Sequence, residues 1–210
     1  KVAIGHLAAE KIIYSSCRWE VDISWADAAK SHIVLEMTVS AQGKNYDRKP
    51  QVFEGFTWLL SSSDGYESTF EHWGFSSVAS GINKRYASRK LKEFLIQDDD
   101  GTIKLDRAQL SGQNALLSKA DFQYDVTSKM YRHANGYTPL AFGTTALSTE
   151  ITFTGAALPE LTVRLHVPGT SEIIFRNETA YSVKPEDSGP FLKGQNIIVS
   201  WKPSAVNEVE

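Results

Sequence analysis

The stretch from Arg18 to Trp25 constrains the fold more than any other. Trp19, Val21, Ile23 and Trp25 alternate with Arg18, Glu20, Asp22 and Ser24. An extended chain turns successive side chains to opposite faces, so this run makes one wet face and one apolar face carrying two tryptophans. A second alternating run follows: Ile33, Leu35, Met37 and Val39 against Val34, Glu36, Thr38 and Ser40. The connection from Ala26 to Ser31 has the length of a longer hairpin loop. The two runs predict an antiparallel pair whose apolar face needs another layer to cover it.

The C-terminal part repeats this patterning. Ile151 and Phe153 alternate with Glu150, Thr152 and Thr154, and Leu161, Val163, Leu165 and Val167 alternate with Thr162, Arg164 and His166. Ile173 to Phe175, Ala180 to Val183, and Ile197, Val199 and Trp201 read as further strands. The breaks hold Gly155, Pro159, Pro168-Gly169, Pro185, Gly189-Pro190 and Gly194. Short strands punctuated in this way predict a mainly β chain, folded as an antiparallel β-sandwich or a jelly-roll-like relative of it.

The whole of 1–210 reads as a single sandwich domain. Residues 1–13 fit a short helix or an arm, and Ile12-Ile13-Tyr14 equally fits the start of a strand. Residues 203–210 read as a flexible polar tail. The middle, about 80–118, reads as a short helical and loop-rich insertion, with a helix starting at Ser88 and carrying Leu91 and Leu95 on one side. Phe122, Tyr124 and Val126 predict a strand. Residues 128–146, with Gly136, Pro139 and Gly143 among Tyr131, Tyr137 and Phe142, read as a long surface loop of the kind that carries recognition.

Ten Phe, eight Tyr and five Trp are too many for a solvated coil. A net charge of -3 leaves no global basic footprint for nucleic acid. No apolar run approaches the roughly 18 residues of a membrane helix, and no signal peptide is visible. The chain begins with Lys1 rather than Met, as a trimmed product would. One cysteine, Cys17, forms no intrachain disulfide and leans towards a reducing compartment. The sequon Asn177-Glu178-Thr179 points weakly the other way.

Aromatic side chains crowd residues 53–75. Trp58, Tyr66 and Trp73, with Tyr137 further on, are the candidate platforms on which a sugar ring or base would stack; the commoner role of such residues is core. Lys84, Arg85, Arg89 and Lys90 are the candidate contacts to an anionic partner such as nucleic acid. Their ordinary role is a solvated helix face. Asp98-Asp99-Asp100-Gly101 resembles the centre of a calcium loop. The first and twelfth ligand positions would then fall on Ile96 and Arg107, which supply no carboxylate, so no metal is expected.

Catalytic signatures are missing. Cys17 lacks an activating context, no Gly-x-Ser-x-Gly elbow or phosphate loop occurs, and His6, His32, His72, His133 and His166 are scattered. No catalytic residue and no cofactor are assigned. Phe53-Glu54-Gly55-Phe56-Thr57-Trp58-Leu59-Leu60, then Asp64-Gly65, then Trp73-Gly74-Phe75, loosely resembles the motifs of MATH (TRAF-like) peptide-binding sandwiches. That resemblance covers a small part of the chain and transfers no site residues.

The expectation is a non-enzymatic β-sandwich acting through protein contacts, with another protein or copies of itself as partner. A self-assembling structural subunit, such as a viral coat or matrix protein, is one such class. The alternatives are a carbohydrate-binding module using exposed aromatics and an enzyme with an unrecognised His/carboxylate site.

Overall fold

The computed structural model describes residues 10–53, 59–60, 65–97, 102–106, 109–110, 115–184, 186 and 189–204. In chain order the strands are β1 (Ile12–Trp25), β2 (His32–Asn45), β3 (Gln51–Val52), β4 (Leu59–Leu60), β5 (Thr69–Ser77) and β6 (Ile82–Ala87). A single α turn, α1 (Ser88–Leu91), and a 3-10 turn, Lys92–Phe94, follow. The chain continues through β7 (Leu95–Gln97), β8 (Ile103–Leu105), β9 (Ala115–Leu116), β10 (Asp121–His133), β11 (Gly136–Ala141) and β12 (Thr149–Thr154). A second 3-10 turn (Leu158–Glu160) leads to β13 (Leu161–His166), β14 (Ile173–Arg176), β15 (Ala180–Val183) and β16 (Asn196–Pro203).

Two sheets make the body. The larger runs β15-β12-β1-β2-β10-β5-β6, and the smaller runs β11-β16-β13-β14. The expected β1–β2 pair forms over nearly its whole length, from Ile12↔Asn45 to Trp25↔Ile33. The pairing within both sheets is antiparallel with one exception: β12 lies parallel to β1, with Trp19 opposite Ile151 and Val21 opposite Phe153. The large sheet is therefore mixed.

The structure corrects two expectations. Residues 128–146 are not one long loop. Strand β10 runs on to His133, and after Ala134 and Asn135 the chain enters β11 of the smaller sheet. Pro139 sits in β11 because this is an edge strand, where a missing N–H need not break a ladder. The helix expected from Ser88 is a single turn without a side-chain cap, and Leu95 belongs to β7. The 80–118 segment holds the short helical turns after β6 and joins the large sheet through that edge strand.

The core lies between the sheets. Trp19, Val21, Ile23, Leu35, Met37, Val39, Val126 and Phe153 point inward from the large sheet, and Leu140, Val163, Leu165, Ile197, Val199 and Trp201 meet them from the small one. Trp19 and Phe142 stand 5.9 Å apart, and Phe153 and Phe175 5.5 Å. The small sheet does not cover the β10–β5–β6 half. There Phe53 stacks on Phe75 at 4.3 Å and meets Phe122 and Tyr124 edge-on or tilted. Leu60, Leu91, Leu110 and Leu116 are buried in the same cluster.

Trp19 is only 2% exposed. Trp25 is half-buried; its indole N–H donates to Glu160 at 3.1 Å, and the Lys30 ammonium lies over its ring. Gly155 has a positive φ of 120°, and a Cβ there would stand 2.2 Å from the carbonyl oxygen of Ile23. Trp19→Ala should cost about 3–5 kcal/mol, as truncation of a buried large aromatic does. Trp25→Ala should cost roughly 1–2 kcal/mol, and Gly155→Ala about 2 kcal/mol or more. Urea unfolding of the three variants checks this order. Equal losses at Trp19 and Trp25 would contradict it.

Candidate functional site

The open face of the large sheet carries the strongest cluster of polar groups. Strand register aligns Arg85, Gly74, Asp125, Ser40, Arg18 and Glu150 in one row across β6, β5, β10, β2, β1 and β12. A neighbouring row holds His72, Thr127, Thr38 and Glu20. All of these but Gly74 and Glu20 line a trough of about 730 Å³. Its floor is made of short side chains. Thr38 and Thr127 share a hydrogen bond of 3.0 Å across the strands.

His72 Nε2 is hydrogen-bonded to the Asp125 carboxylate. Gly74 makes this possible: a Cβ there would lie 2.6 Å from Asp125 Oδ1. On the far side, Arg18 lies between Glu20 (3.3 Å) and Glu150 (3.7 Å). Arg85 and the side chains of Ser40, Gln42 and Gln123 have no hydrogen-bond partner among the described residues. Sequence reading missed this site because its members come from six separated strands. Gly74 was the available signal, since a glycine between two aromatics in a strand marks close approach of another group.

A second cluster sits on the same face at the β1–β2 turn. Asp27 accepts hydrogen bonds from the Ser31 N–H at 3.0 Å, the Ser31 hydroxyl at 2.8 Å and the His32 N–H at 3.1 Å. These donors, the Ser31 N–H foremost, hold its carboxyl down at about 2. Tyr66 donates to Asp27 at 3.4 Å and stacks on Tyr131 at 4.8 Å. His32, 8% exposed, packs against Tyr66 and His133, with ring centroids 5.2 and 4.6 Å away. The cluster is a brace for the turn: its polar atoms are spent on one another.

The sequence-predicted residues do not assemble into one site. Trp58 lies outside the described residues. Trp73 is 4% exposed and stacks on Tyr86 inside the core, which removes it as a platform. Tyr66 is half-buried and has one face against Tyr131. Tyr137 is 66% exposed, on the outer face of β11. The expected basic patch divides. Lys84 shares the inward side of β6 with Tyr86 and reaches the Leu110 carbonyl at 3.4 Å, whereas Arg85 faces the trough. Arg89 is exposed beyond β6, and Lys90 pairs with Glu93.

Catalytic and metal chemistry find little support in the geometry. Burial pushes the Cys17 thiol up to about 12, so it is not a thiolate at neutral pH. His72, His133 and His166 do not converge: the first pairs with Asp125, the second packs at a tilt against His32, and the third is exposed on β13 of the other sheet. Among the described residues no three His, Cys, Asp or Glu side chains are grouped as metal ligands. Asp98 to Gly101 lies outside the described residues. No described helix is long and apolar enough to cross a membrane.

No family model matches the chain, and no curated protein matches it. Among solved structures, a putative protease from Parabacteroides distasonis is similar at 5% identity and a TM-score of 0.45, over 91% of this chain and 40% of that one. A putative nutrient binding protein from Legionella pneumophila is similar at 7% identity and a TM-score of 0.40, over 92% of this chain and 67% of the other. The RrgB pilus protein from Streptococcus pneumoniae gives 12% identity and a TM-score of 0.18, over 90% of this chain and 37% of that one. The chain thus spans less than half the length of the first and third. Likenesses this distant carry no argument about activity, substrate or partner.

The depressed Asp27 carboxyl gives a pH signature. An unfolded aspartate titrates near about 3.9. Its folded value is lower, so its contribution to stability is complete above about pH 4 and disappears as the pH falls through about 2. Asp27→Asn should lower stability at neutral pH and flatten the acid limb of the stability curve between these limits. Thermal melts of both forms at stepped pH values measure it; parallel acid limbs would count against this assignment.

Proposed function

We propose that the protein is a non-enzymatic β-sandwich subunit that works through protein contacts, with a second copy of itself as partner. The observation that carries this reading is the outer face of the small sheet. Register places Pro139 beside Ile198 and Tyr137 beside Ser200, with Arg164 and Ile174 completing that second row. Tyr137 and Ile174 are both exposed, at 66% and 44%, and Ile198 is half-buried. An exposed aromatic beside proline and isoleucine, with Arg164 of the same row paired to Glu172, fits an interface centre, which is enriched in tyrosine.

The absence of an activated nucleophile in the described site supports a binding role over a catalytic one. Cys17 is buried and protonated, and the His72–Asp125 pair has the hydroxyls of Thr38, Ser40 and Thr127 near it, in a trough that does not exclude water.

Sedimentation velocity over a wide range of concentration tests the proposal. The chain should sediment faster as concentration rises. Tyr137→Arg should weaken association by about tenfold or more, the effect of losing an aromatic anchor, with the melting temperature little changed. A chain that stays monomeric throughout, or one that self-associates equally well with Tyr137→Arg, would overturn it.

A further inference from the structure

The trough on the large sheet lies on the opposite side of the sandwich from Tyr137, and its chemistry is different. We propose that it binds a neutral saccharide, held by hydrogen bonds from Arg85, Gln42, Gln123, Ser40 and the Asp125–His72 pair.

Charge comes first. Arg18 is held between Glu20 and Glu150, and Asp125 lies against His72, so Arg85 is the one cation of the trough without a described partner. The two positive charges of Arg18 and Arg85 meet three negative ones, on Glu20, Glu150 and Asp125, so the balance is slightly negative. Such a surface has no excess positive field to gather phosphate or nucleic acid. Its floor carries the hydroxyls of Thr38, Ser40 and Thr127.

Hydrogen-bonding capacity comes second. Gln42 and Gln123 face each other across β2 and β10, and each amide offers donors and an acceptor. Ser40 adds a hydroxyl, Arg85 a fan of donors and Asp125 the remaining acceptor sites of its carboxylate. None of the four neutral or cationic groups is used inside the described protein. Strands are about 4.8 Å apart, and same-face residues about 6.6 Å apart along each strand. The result is a grid of mixed donors and acceptors on a shallow floor. A ligand that satisfies it carries donors and acceptors around its whole rim, as a ring of hydroxyl groups does.

Position is fixed rather than adaptable. Gly74 lets Asp125 lie flat against the sheet, and His72 holds it there, so the carboxylate is oriented before a ligand arrives. Short side chains at Thr38, Ser40 and Thr127 leave the space above them open.

The test is calorimetric titration of the full chain with maltopentaose, cellopentaose, mannopentaose and chitopentaose at millimolar concentration. Inorganic phosphate and a heparin oligosaccharide serve as anionic probes. At least one neutral probe should bind, with little dependence on salt. Arg85→Ala and Gln123→Ala should each weaken it by about tenfold, the worth of one good hydrogen bond. Both sites are exposed, so folding should be unaffected, and the melting temperature verifies this. Asp125→Asn, which keeps the shape and removes the charge, should weaken binding while leaving the fold intact. Tyr137→Arg, carried as a background, should leave saccharide binding unchanged, which separates this site from self-association. Failure of every neutral probe, binding of the anionic probes alone, or affinity indifferent to Arg85→Ala and Gln123→Ala would each overturn the proposal.

Discussion

Covering the inner face of the seven-stranded sheet is the constraint on which the rest of the molecule depends. That face presents aromatic and branched side chains from β12 across to β5, and no single second layer here is wide enough to hide them. The small sheet covers the β12–β1–β2 side, through Phe142 on Trp19 and Phe175 on Phe153. Phe53 and the leucines of the 51–116 stretch cover the rest. Each ring removed would leave a cavity costing about 3–5 kcal/mol, a large part of the stability of a typical domain. Among the described aromatics of 53–75, Phe53, Phe70, Trp73 and Phe75 are buried, and they are where the second half of the cover is fastened.

Two of the places where the chain crosses between the layers are tied by hydrogen bonds. After β10 the main chain turns into β11, and the indole N–H of Trp201 donates to the His133 carbonyl at 2.9 Å. After β12, Ala157 N–H donates to the Ile23 carbonyl at 3.0 Å, and Gly155 allows the approach. These ties bring the carbonyls of His133 and buried Ile23 into hydrogen bonds beyond those of the ladders. They also settle why β12 can lie parallel to β1: its neighbours in sequence leave for the small sheet instead of returning beside it.

Much of the fold was legible. Alternation at 18–25 and 33–40 placed Trp19, Val21, Leu35 and Val39 on the correct face, because a half-buried strand writes its burial into every second residue. What alternation cannot express is direction or neighbour, so the parallel β1–β12 pair was invisible. The second half of β10 was missed because Ser128, fully buried, occupies an inward position where an apolar residue was expected, and Gly136 and Pro139 then mimic a loop. The helix after Ser88 was over-read because Leu91 and Leu95 have helical spacing, whereas Leu95 pairs with Leu105 in a small sheet. The trough was least legible of all. Arg85, Asp125, Ser40 and Arg18 are neighbours only through register, and register is a property of the assembled sheet.

With the large aromatics committed inward, the two outer faces are left with what remains, and they differ. The outer face of the large sheet holds charges of both signs, amides and hydroxyls. That of the small sheet holds Tyr137, Pro139 and Ile198, with Arg164 already paired to Glu172 at 3.2 Å. With charges of both signs and no positive excess over the trough, attraction of a neutral ligand there is short-ranged, acting through hydrogen bonds at contact rather than by steering from a distance. Apolar area on the other side gains from burial irrespective of salt. Because the core separates the two faces, occupation of one does not obstruct the other. A contact through the small sheet would leave the trough of each copy open to solvent, so assembly and ligand binding are compatible within one chain.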